Sequence, residues 1–286
     1  MRALVLGGSG MLGHTLGRVF SERFETYVTV RSAQVPDLPG IEVERVLTGV
    51  SAESFDSVVH AVGVARPHVV VNCIGIVKQL EAAQDPLPSI SVNALFPHRL
   101  AELTHAAGVR LFQISTDCVF SGRKGAYTEA DEADPVDLYG RTKLLGEVSA
   151  EGALTVRTSI VGRELGTRQG LLEWFLAQNR SVRGYTRAVF SGLTNEALSV
   201  VLADIATDHP DLFGVWHVAS EPIDKFELLK RFADAFDRDV EIVPDESVVI
   251  DRSLDGSRFA AATGIATPSW DEMLRRLAAG EAVRAG

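Results

Sequence analysis

The chain has 286 residues, of which 46% are hydrophobic and 23% are charged, and its formal net charge is −10 at pH 7. This length allows one large domain, or a main domain with a small lobe, and the negative charge opposes non-specific attraction to nucleic acid or an anionic membrane. The first residues enter an apolar strand without the basic region, apolar stretch and cleavage site of a signal peptide, and no segment has eighteen uninterrupted apolar residues. We therefore expect a cytoplasmic protein with no nucleic-acid or membrane partner. Its two cysteines, Cys73 and Cys118, are expected to be reduced thiols, and no metal site is predicted.

Short β-branched runs alternate with longer amphipathic stretches through the first 160 residues, which is typical of βαβ units that wind a parallel sheet. The predicted strands of this part are 3–6, 26–30, 69–72, 111–115 and 154–157, with helices that begin near residues 11, 52, 92 and 138. The alternation of strands and helices is less regular after Ser159. The predicted elements there are helices at 170–178, 196–206 and 225–236, and a strand at 215–219.

This order of elements predicts an α/β fold, with a doubly wound parallel sheet of the Rossmann type and a smaller C-terminal α+β lobe. The dinucleotide-binding domain would comprise residues 1–158 and about 194–219. The substrate-binding lobe would comprise residues 159–193 and 220–286. A cleft between the two parts is the expected ligand site.

A glycine-rich turn, Gly7-Gly8-Ser9-Gly10-Met11-Leu12-Gly13, follows the first predicted strand and opens the first helix. Glycines in such a turn let the backbone approach a pyrophosphate, whose charge is stabilised by amide N–H groups and the helix dipole. The alternative is a turn that serves only helix-on-strand packing. Its place in the N-terminal strand–turn–helix unit favours a dinucleotide site.

The second predicted strand ends in Arg31-Ser32, and no carboxylate lies between Thr26 and Pro36. A carboxylate at that position would accept hydrogen bonds from the adenosine ribose, whereas a basic residue tolerates a 2′-phosphate. The sequence therefore favours NADPH over NADH. An ordinary solvated arginine is the alternative interpretation of Arg31.

Tyr139 and Lys143 are four residues apart, so on a helix both side chains lie on one face, one turn apart. An ammonium group near a phenol lowers the phenol's pKa and lets it exchange a proton near neutral pH. The pattern by itself is common and usually has no function. Thr116, however, follows an apolar strand and should lie at the carboxyl edge of the sheet, where it can face Tyr139.

Five segments, GGSGMLG, VNCIG, ISTDCVFSG, DLYGRTKLLGE and VRTSIVGRE, occur in the order and spacing that the extended short-chain dehydrogenase/reductase family shows. The chain resembles that family, and within it the dTDP-4-dehydrorhamnose reductase branch most. This resemblance implies that Tyr139 is the proton donor, that Lys143 lowers its pKa and holds the nicotinamide ribose, and that Thr116 hydrogen-bonds the substrate's keto oxygen.

The resemblance also implies a set of ligand contacts. The implied cofactor contacts are Gly7, Ser9, Gly10, Met11, Leu12, Gly13, Arg31, Ser32, Val50, Cys73, Ile74, Gly75, Asn93, Tyr139 and Lys143. The implied substrate contacts are Thr116, Asp117, Cys118, Val119, Phe120, Tyr139 and Ile160. Asn93 is equally well interpreted as a buried polar helix residue. Gly49-Val50 replaces an acid that the family usually has, so adenine would pack on Val50 rather than bond a carboxylate.

The implied reaction is NADPH-dependent reduction of the keto group of a nucleotide-activated 4-keto-6-deoxy sugar. Dehydration is disfavoured because the run Thr116-Asp117-Cys118 lacks the glutamate of the related 4,6-dehydratases. An epimerase/reductase would pair Cys118 with a histidine, but none of the seven histidines lies between Lys143 and Asp208. Cys118 is therefore interpreted as a small packed residue. A non-catalytic NADP-binding regulatory subunit is a further alternative, and a homodimer is left open.

The second half of the chain departs from the rhamnose-type reductases that it resembles. Ile160 stands where they usually have a tryptophan, and the loop at 190–194 lacks their proline, so a different sugar is plausible. Thr194 is predicted to cap the following helix, and Trp174 and Phe175 are predicted to be core residues. Candidate partners of a substrate diphosphate are Arg183, Arg187, Arg252 and Arg258.

Overall fold

The computed structural model of the protein describes residues 1–78, 84–166 and 169–284. Its strands are β1 (Arg2–Leu6), β2 (Glu25–Thr29), β3 (Val46–Leu47), β4 (Val69–Asn72), β5 (Arg110–Ile114), β6 (Ala153–Arg157), β7 (Ile160–Val161), β8 (Val182–Tyr185), β9 (Ala188–Phe190), β10 (Leu193–Thr194), β11 (Gly214–His217), β12 (Ile223–Asp224), β13 (Ile242–Asp245) and β14 (Ile250–Asp251). Its α-helices are α1 (Met11–Ser21), α2 (Phe55–Ala65), α3 (Pro86–Ser89), α4 (Phe96–Ala106), α5 (Leu138–Leu145), α6 (Leu171–Leu176), α7 (Asn195–Asp208), α8 (Lys225–Ala235), α9 (Ser257–Thr263) and α10 (Trp270–Arg284).

A seven-stranded parallel sheet in the order β11-β6-β5-β4-β1-β2-β3 forms the centre of the fold. Its strands are rich in valine and leucine and buried almost throughout, as expected for a sheet covered on both faces by helices. The strand order reverses between β1 and β4, and ligands bind at this type of switch point, beyond the carboxyl ends of the strands. The predicted fold class, a doubly wound α/β sheet, is confirmed.

Two apolar clusters lie on opposite faces of the sheet. One includes Leu16 of α1 and Leu202 of α7, and the other includes Val58 of α2 and Leu100 of α4, all with almost no exposed surface. Because α7 packs on α1 and β11 pairs with β6, residues after Thr194 return to the main sheet. The predicted division into a main domain and a lobe assumes this return, and the boundaries themselves stay a prediction.

The five predicted strands of the first half agree with the structure to within one residue, whereas two predicted helix starts differ. The helix expected near residue 52 begins at Phe55. The helix expected near residue 92 is preceded by α3 and by a π-helical turn, Ile90–Leu95, that runs directly into α4. Pro97 explains this turn, because it has no N–H to donate to the carbonyl of Asn93, four residues earlier.

Small sheets build the remainder of the chain. They have the orders β12-β9-β14, β13-β8 and β10-β7, and each of their strands has only two to four residues. In the part of the chain that the structure describes, no helix has both the length and the apolar character needed to cross a bilayer.

Candidate active site

The glycine turn between β1 and α1 has the close backbone packing that a dinucleotide site needs. Gly7 has a φ of +86°, and a Cβ atom on Gly13 would lie only 2.1 Å from the carbonyl oxygen of Gly7. Thr29 at the end of β2 holds the turn, since its hydroxyl and its carbonyl accept hydrogen bonds from the amides of Gly7 and Gly8 at 3.2 and 2.7 Å. Gly10 is the N-cap of α1 and has no side chain to occupy the first-turn N–H groups, so these can receive a pyrophosphate.

The other side chains predicted at this turn divide into exposed and buried ones. Ser9 is exposed, Met11 is partly buried against Gly170, and Leu12 belongs to the core. Leu12 can therefore meet a ligand only through its backbone. Arg31 and Ser32 are both exposed directly after β2, at the edge where an adenosine ribose would lie.

Val50 differs from its predicted role. Only 5% of its surface is exposed, because it packs into the cluster under α2 and its amide donates to the carbonyl of Val30 at 3.1 Å. It therefore offers an adenine ring little surface to stack on.

The loop after β4 contains Cys73, Ile74 and Gly75, all of them partly exposed. Asn93 closes this loop from the π-helical turn: its amide oxygen accepts from the Ile76 amide at 2.8 Å, and its nitrogen donates to the Ile76 carbonyl at 3.0 Å. Both ends of the Asn93 side chain are thus used, and the side chain is 1% exposed. Asn93 therefore fixes the loop after β4, and its side chain is not exposed to a ligand.

Thr116 and Tyr139 meet at the carboxyl edge of β5. Thr116 caps the short 3₁₀ turn Asp117–Val119, accepting a hydrogen bond from the Cys118 amide at 3.1 Å. Helix α5 packs directly on this turn, because a Cβ on Gly140 would lie 2.3 Å from the carbonyl oxygen of Cys118. The Thr116 hydroxyl is close enough to the Tyr139 phenol to act on its pKa, while its own hydrogen bond goes to the Asp117 carboxyl at 3.2 Å.

Lys143 lies one turn further along α5 and is 7% exposed. Its ammonium group donates to the carbonyl oxygen of Ile114 at 2.6 Å, which ties α5 to the end of β5. Burial lowers the pKa of Lys143 to about 8, and the nearby acidic groups Glu147 and Cys73 oppose that shift. A lysine with this pKa can change its charge close to neutral pH.

The pKa of Tyr139 lies above its usual value near 10, chiefly because the phenol is desolvated and secondly because Cys118 lies beside it. The nearby Thr116 hydroxyl acts in the opposite direction and lowers this pKa. The family resemblance implies an acidic tyrosine, so the structure differs from that expectation: burial dominates, and the ammonium of Lys143 is engaged with a backbone carbonyl. The phenol is protonated at neutral pH, which is the form that a proton donor needs.

The predicted substrate contacts differ in accessibility. Thr116 and Asp117 are 6% and 7% exposed, and Cys118 and Ile160 are partly exposed. Val119 and Phe120 have no exposed surface, which argues against their prediction as side-chain contacts. Phe120 stacks on Tyr127 at 4.2 Å and supports the turn from below.

Cys118 is a thiol rather than a thiolate in this structure, because burial and the nearby Asp117 raise its pKa to about 12. Burial likewise raises the pKa of the Asp117 carboxyl, while the charge of Arg252 opposes the shift. The turn after Thr116 therefore carries two acidic groups that are both held towards their protonated forms.

The lobe confirms some of the sequence predictions and corrects one. Thr194 caps α7 by accepting from the Ala197 amide at 3.2 Å, as predicted. Phe175 is fully buried against Phe232, also as predicted. Trp174 was predicted to be a core residue, but it is 39% exposed. It is the residue before Phe175 on α6, so its side chain points about 100° away from the direction of the buried Phe175.

Only one of the four candidate arginines lies at the Thr116 turn. Arg252 donates to the Phe120 carbonyl at 2.9 Å. Arg183 pairs with Asp245 at 3.3 Å and is largely exposed, Arg187 is exposed beside β9, and Arg258 stacks on Trp216. The structure therefore favours Arg252 over the other three as a substrate contact.

Residues 1–282 match the family model described as the RmlD substrate binding domain. The chain belongs to this family. The resemblance to the extended dehydrogenases and reductases is thereby confirmed for nearly the whole length of the chain.

Among curated relatives of this RmlD-family chain, a dTDP-4-dehydrorhamnose reductase of Mycolicibacterium smegmatis is 32% identical over 57% of the chain and 46% of the relative. The aligned part thus spans about half the length of that enzyme. The methionine adenosyltransferase 2 subunit beta of Mus musculus is 27% identical over 82% of the chain and 72% of the relative. A crystal structure of dTDP-4-dehydrorhamnose reductase from Bacillus anthracis in complex with NADP superposes with a TM-score of 0.80 over 96% of this chain and 98% of that one, at 22% identity, which shows the shared fold.

Sequence reasoning missed a buried ion pair behind the site of this RmlD-family chain. Glu147 accepts hydrogen bonds from Arg157 Nε and Nη2 at 2.8 and 2.7 Å, and from the Ser115 hydroxyl at 2.6 Å. The side chains of the pair are only 9% and 8% exposed. Glu147 thus joins α5 to the ends of β5 and β6, immediately before Thr116. Its nearness to Lys143 in sequence, two residues past the end of α5, is the signal that could have indicated this role.

Proposed function

We propose that the protein uses NADPH to reduce the keto group of a nucleotide-activated 4-keto-6-deoxy sugar. The observation that carries the proposal is the meeting of Thr116, Tyr139 and Lys143 at the carboxyl edge of the sheet, next to a glycine turn that fits a pyrophosphate. Relatives named dTDP-4-dehydrorhamnose reductase support the choice of substrate class.

In this proposal each residue has one task. NADPH, when bound, supplies the hydride that reaches the carbonyl carbon of the substrate. The carbonyl oxygen lies between the Thr116 hydroxyl and the Tyr139 phenol, where hydrogen bonds stabilise the negative charge that develops on it. Tyr139 then gives its proton to that oxygen, which yields an alcohol. Lys143, anchored to Ile114, provides a positive charge one helical turn away and favours the phenolate that remains.

Cofactor choice is the finer part of the proposal. Arg31 and Ser32 are exposed at the end of β2, and neither is a carboxylate that would repel a 2′-phosphate. We expect NADPH to bind at least several-fold more tightly than NADH. Fluorescence titration of both cofactors tests this, and a preference for NADH would refute the assignment.

The test of the reaction is a panel of 4-keto nucleotide sugars with oxidation of NADPH followed by absorbance. Tyr139→Phe removes only the transferable proton, so it should abolish turnover and leave NADPH affinity nearly unchanged. Retained turnover in this variant would contradict the central assignment. The alternative of combined epimerisation predicts that solvent deuterium enters the product at the carbon next to the keto group.

A non-catalytic regulatory subunit is the second candidate function. It is favoured by the similarity to methionine adenosyltransferase 2 subunit beta, which covers 82% of the chain. Tyr139 and Lys143 are both present, which favours the enzyme instead. Tight NADPH binding without turnover of any sugar in the panel would favour the regulatory role.

We further propose a cytoplasmic homodimer that binds neither nucleic acid nor membrane. Leu95, at the end of the π-helical turn, and Leu145, at the end of α5, are 53% and 64% exposed. Exposed leucines on adjacent helices favour burial against a second copy. Light scattering during gel filtration distinguishes a dimer from a monomer.

A further inference from the structure

Lys225 is a desolvated lysine of the lobe that the proposed reduction does not use. It is the first residue of α8, where the positive end of the helix dipole disfavours a cation. Its ammonium nitrogen lies 3.5 Å from the ring centroid of Phe190, and that ring is itself fixed against Trp270. Its neighbours thus hold the charged end of Lys225 in one place.

The charged groups around Lys225 belong to the Thr116 turn. Burial lowers the pKa of Lys225 to about 8, and the nearby acidic groups Asp117 and Cys118 oppose that shift. Among the residues that the structure describes, none accepts a hydrogen bond from this ammonium group. An ammonium group that no described side chain or carbonyl accepts from has donors free for a ligand.

Arg252 brings a second cation to the same turn. Its Nε donates to the Phe120 carbonyl at 2.9 Å, and its positive charge acts on both Asp117 and Cys118. Lys78, the other cation nearby, is already paired with Asp137 at 2.7 Å. Lys225 and Arg252 both act on Asp117, and Arg252 also acts on Asp137, the partner of Lys78. Three cations thus stand against two carboxyls, so the local charge is positive and suits an anion.

The acidic residues that face the two cations lie next to Thr116, where the keto group of the substrate is proposed to bind. Asp117 and Cys118 follow Thr116 directly, so their Cα atoms lie within about 8 Å of that of Thr116. A hexose whose keto oxygen lies between Thr116 and Tyr139 would extend past these residues. The phosphate on its anomeric carbon would then reach the two cations.

We propose that Lys225 and Arg252 form the subsite for the diphosphate of the substrate, with Lys225 as the binding residue that the lobe contributes. This inference rests on the proposed function, because it assumes that the substrate is a nucleoside diphosphate sugar. Ammonium and guanidinium groups form charge-assisted hydrogen bonds with phosphate oxygens, and these are the stronger class of hydrogen bond.

The experiment compares Lys225→Met with Lys230→Met by calorimetric titration with dTDP, UDP and GDP. Lys230 is a matched control, because it also belongs to α8 and lies over an aromatic ring, Phe226, at 5.3 Å, but it is exposed. We expect Lys225→Met to weaken binding of the preferred diphosphate roughly 10- to 100-fold, with NADPH affinity unchanged. Lys230→Met should leave both affinities as they are, and Lys225→Arg should restore part of the loss.

Stability measurements separate a binding role from a structural one. Removal of a desolvated charge should leave the melting temperature of Lys225→Met unchanged or higher. A lower melting temperature with unchanged diphosphate affinity would make Lys225 a counter-ion of Asp117 and overturn the inference. If Lys225→Met does not fold, Lys225→Gln replaces it, since its amide can still donate to a phosphate but has no charge. If the unaltered protein binds none of the three diphosphates, the proposed substrate class fails together with this subsite.

Discussion

Glu147→Gln should destabilise the protein strongly, although it changes one atom and leaves the side-chain volume almost unaltered. Glu147 receives three hydrogen bonds, two from Arg157 and one from Ser115, and more than nine-tenths of the surface of each side chain in the ion pair is buried. A glutamine has one acceptor oxygen, and its NH₂ group would face the N–H groups of Arg157. The guanidinium would then be a buried charge without its counter-ion.

The expected cost is about 3–5 kcal/mol, the usual penalty for removing one partner of a buried ion pair. This is a large share of the roughly 5–15 kcal/mol that stabilises a typical protein. Urea unfolding at pH 7, followed by tryptophan fluorescence and far-ultraviolet circular dichroism, measures the loss as a lower transition midpoint. Glu151→Gln is the control, because Glu151 is exposed, and we expect it to change stability by less than about 0.5 kcal/mol.

A double variant tests the physical reason. Glu147→Leu combined with Arg157→Met removes both charges, so it should be more stable than either single variant. A Glu147→Gln variant that loses less than about 1 kcal/mol, the typical net value of a single hydrogen bond, would refute the argument that the pair is desolvated and coupled. A double variant as unstable as the sum of the two single variants would refute it as well.

Three further predictions concern pH, the thiol and the glycine turn. Burial lowers the pKa of Lys143 and Lys225 from 10.5 to about 8, so above pH 8 the unfolded chain binds more protons and the free energy of unfolding should rise from pH 8 to 9. Above pH 9 the gain in stability should diminish, because the pKa of Cys73 and of Cys118 is raised from 9.0 to about 12, so the folded chain then binds more protons at these thiols. Urea unfolding of the cofactor-free protein at each pH measures the free energy of unfolding. A fall in that free energy between pH 8 and 9 would contradict the prediction. Cys118→Ser should retain most of the reductase activity in the NADPH assay, and a complete loss would indicate that the thiol takes part in the chemistry. Gly13→Ala should greatly weaken NADPH binding in a fluorescence titration, because its Cβ would lie 2.1 Å from the Gly7 carbonyl, whereas Gly63→Ala in α2 meets no atom within 4 Å and should bind NADPH normally.

Most of the main sheet was predictable because its longer strands are short apolar runs that the fold buries on both faces. β1 and β4 are of this kind, and so their bounds were found to within one residue, whereas β3, with two residues, was missed. The small strands of the lobe could not be found in this way. β7 and β10 have two residues each, too few to show an alternating pattern, and they form only because the chain returns to pair Ile160 with Leu193.

Motif spacing located the backbone of the candidate site but not the direction of every side chain. Thr116 and Phe120 belong to the same segment, and the sequence predicted both as substrate contacts. The 3₁₀ turn between them sends Thr116 towards Tyr139 and Phe120 into the cluster with Tyr127. One residue of difference along a short helix has the same effect on Trp174 and Phe175.

Residues that are far in sequence from the site motifs are the hardest to predict. Glu147 is close in sequence to Lys143, whereas Lys225 is far from every motif of the site. Glu147 is only four residues from Lys143, two residues past the end of α5, so a carboxylate there could have been weighed as a partner of the site. Lys225 begins a helix of the lobe and reaches Asp117 only after the chain has crossed the main sheet and returned. No local pattern distinguishes it from Lys230 on the same helix. What distinguishes the two is desolvation, since one ammonium lies over Phe190 and faces the Thr116 turn while the other remains in water. Lys225 lies over Phe190 beside the Thr116 turn, and no described residue accepts a hydrogen bond from its ammonium group, so this position is open to an anionic ligand.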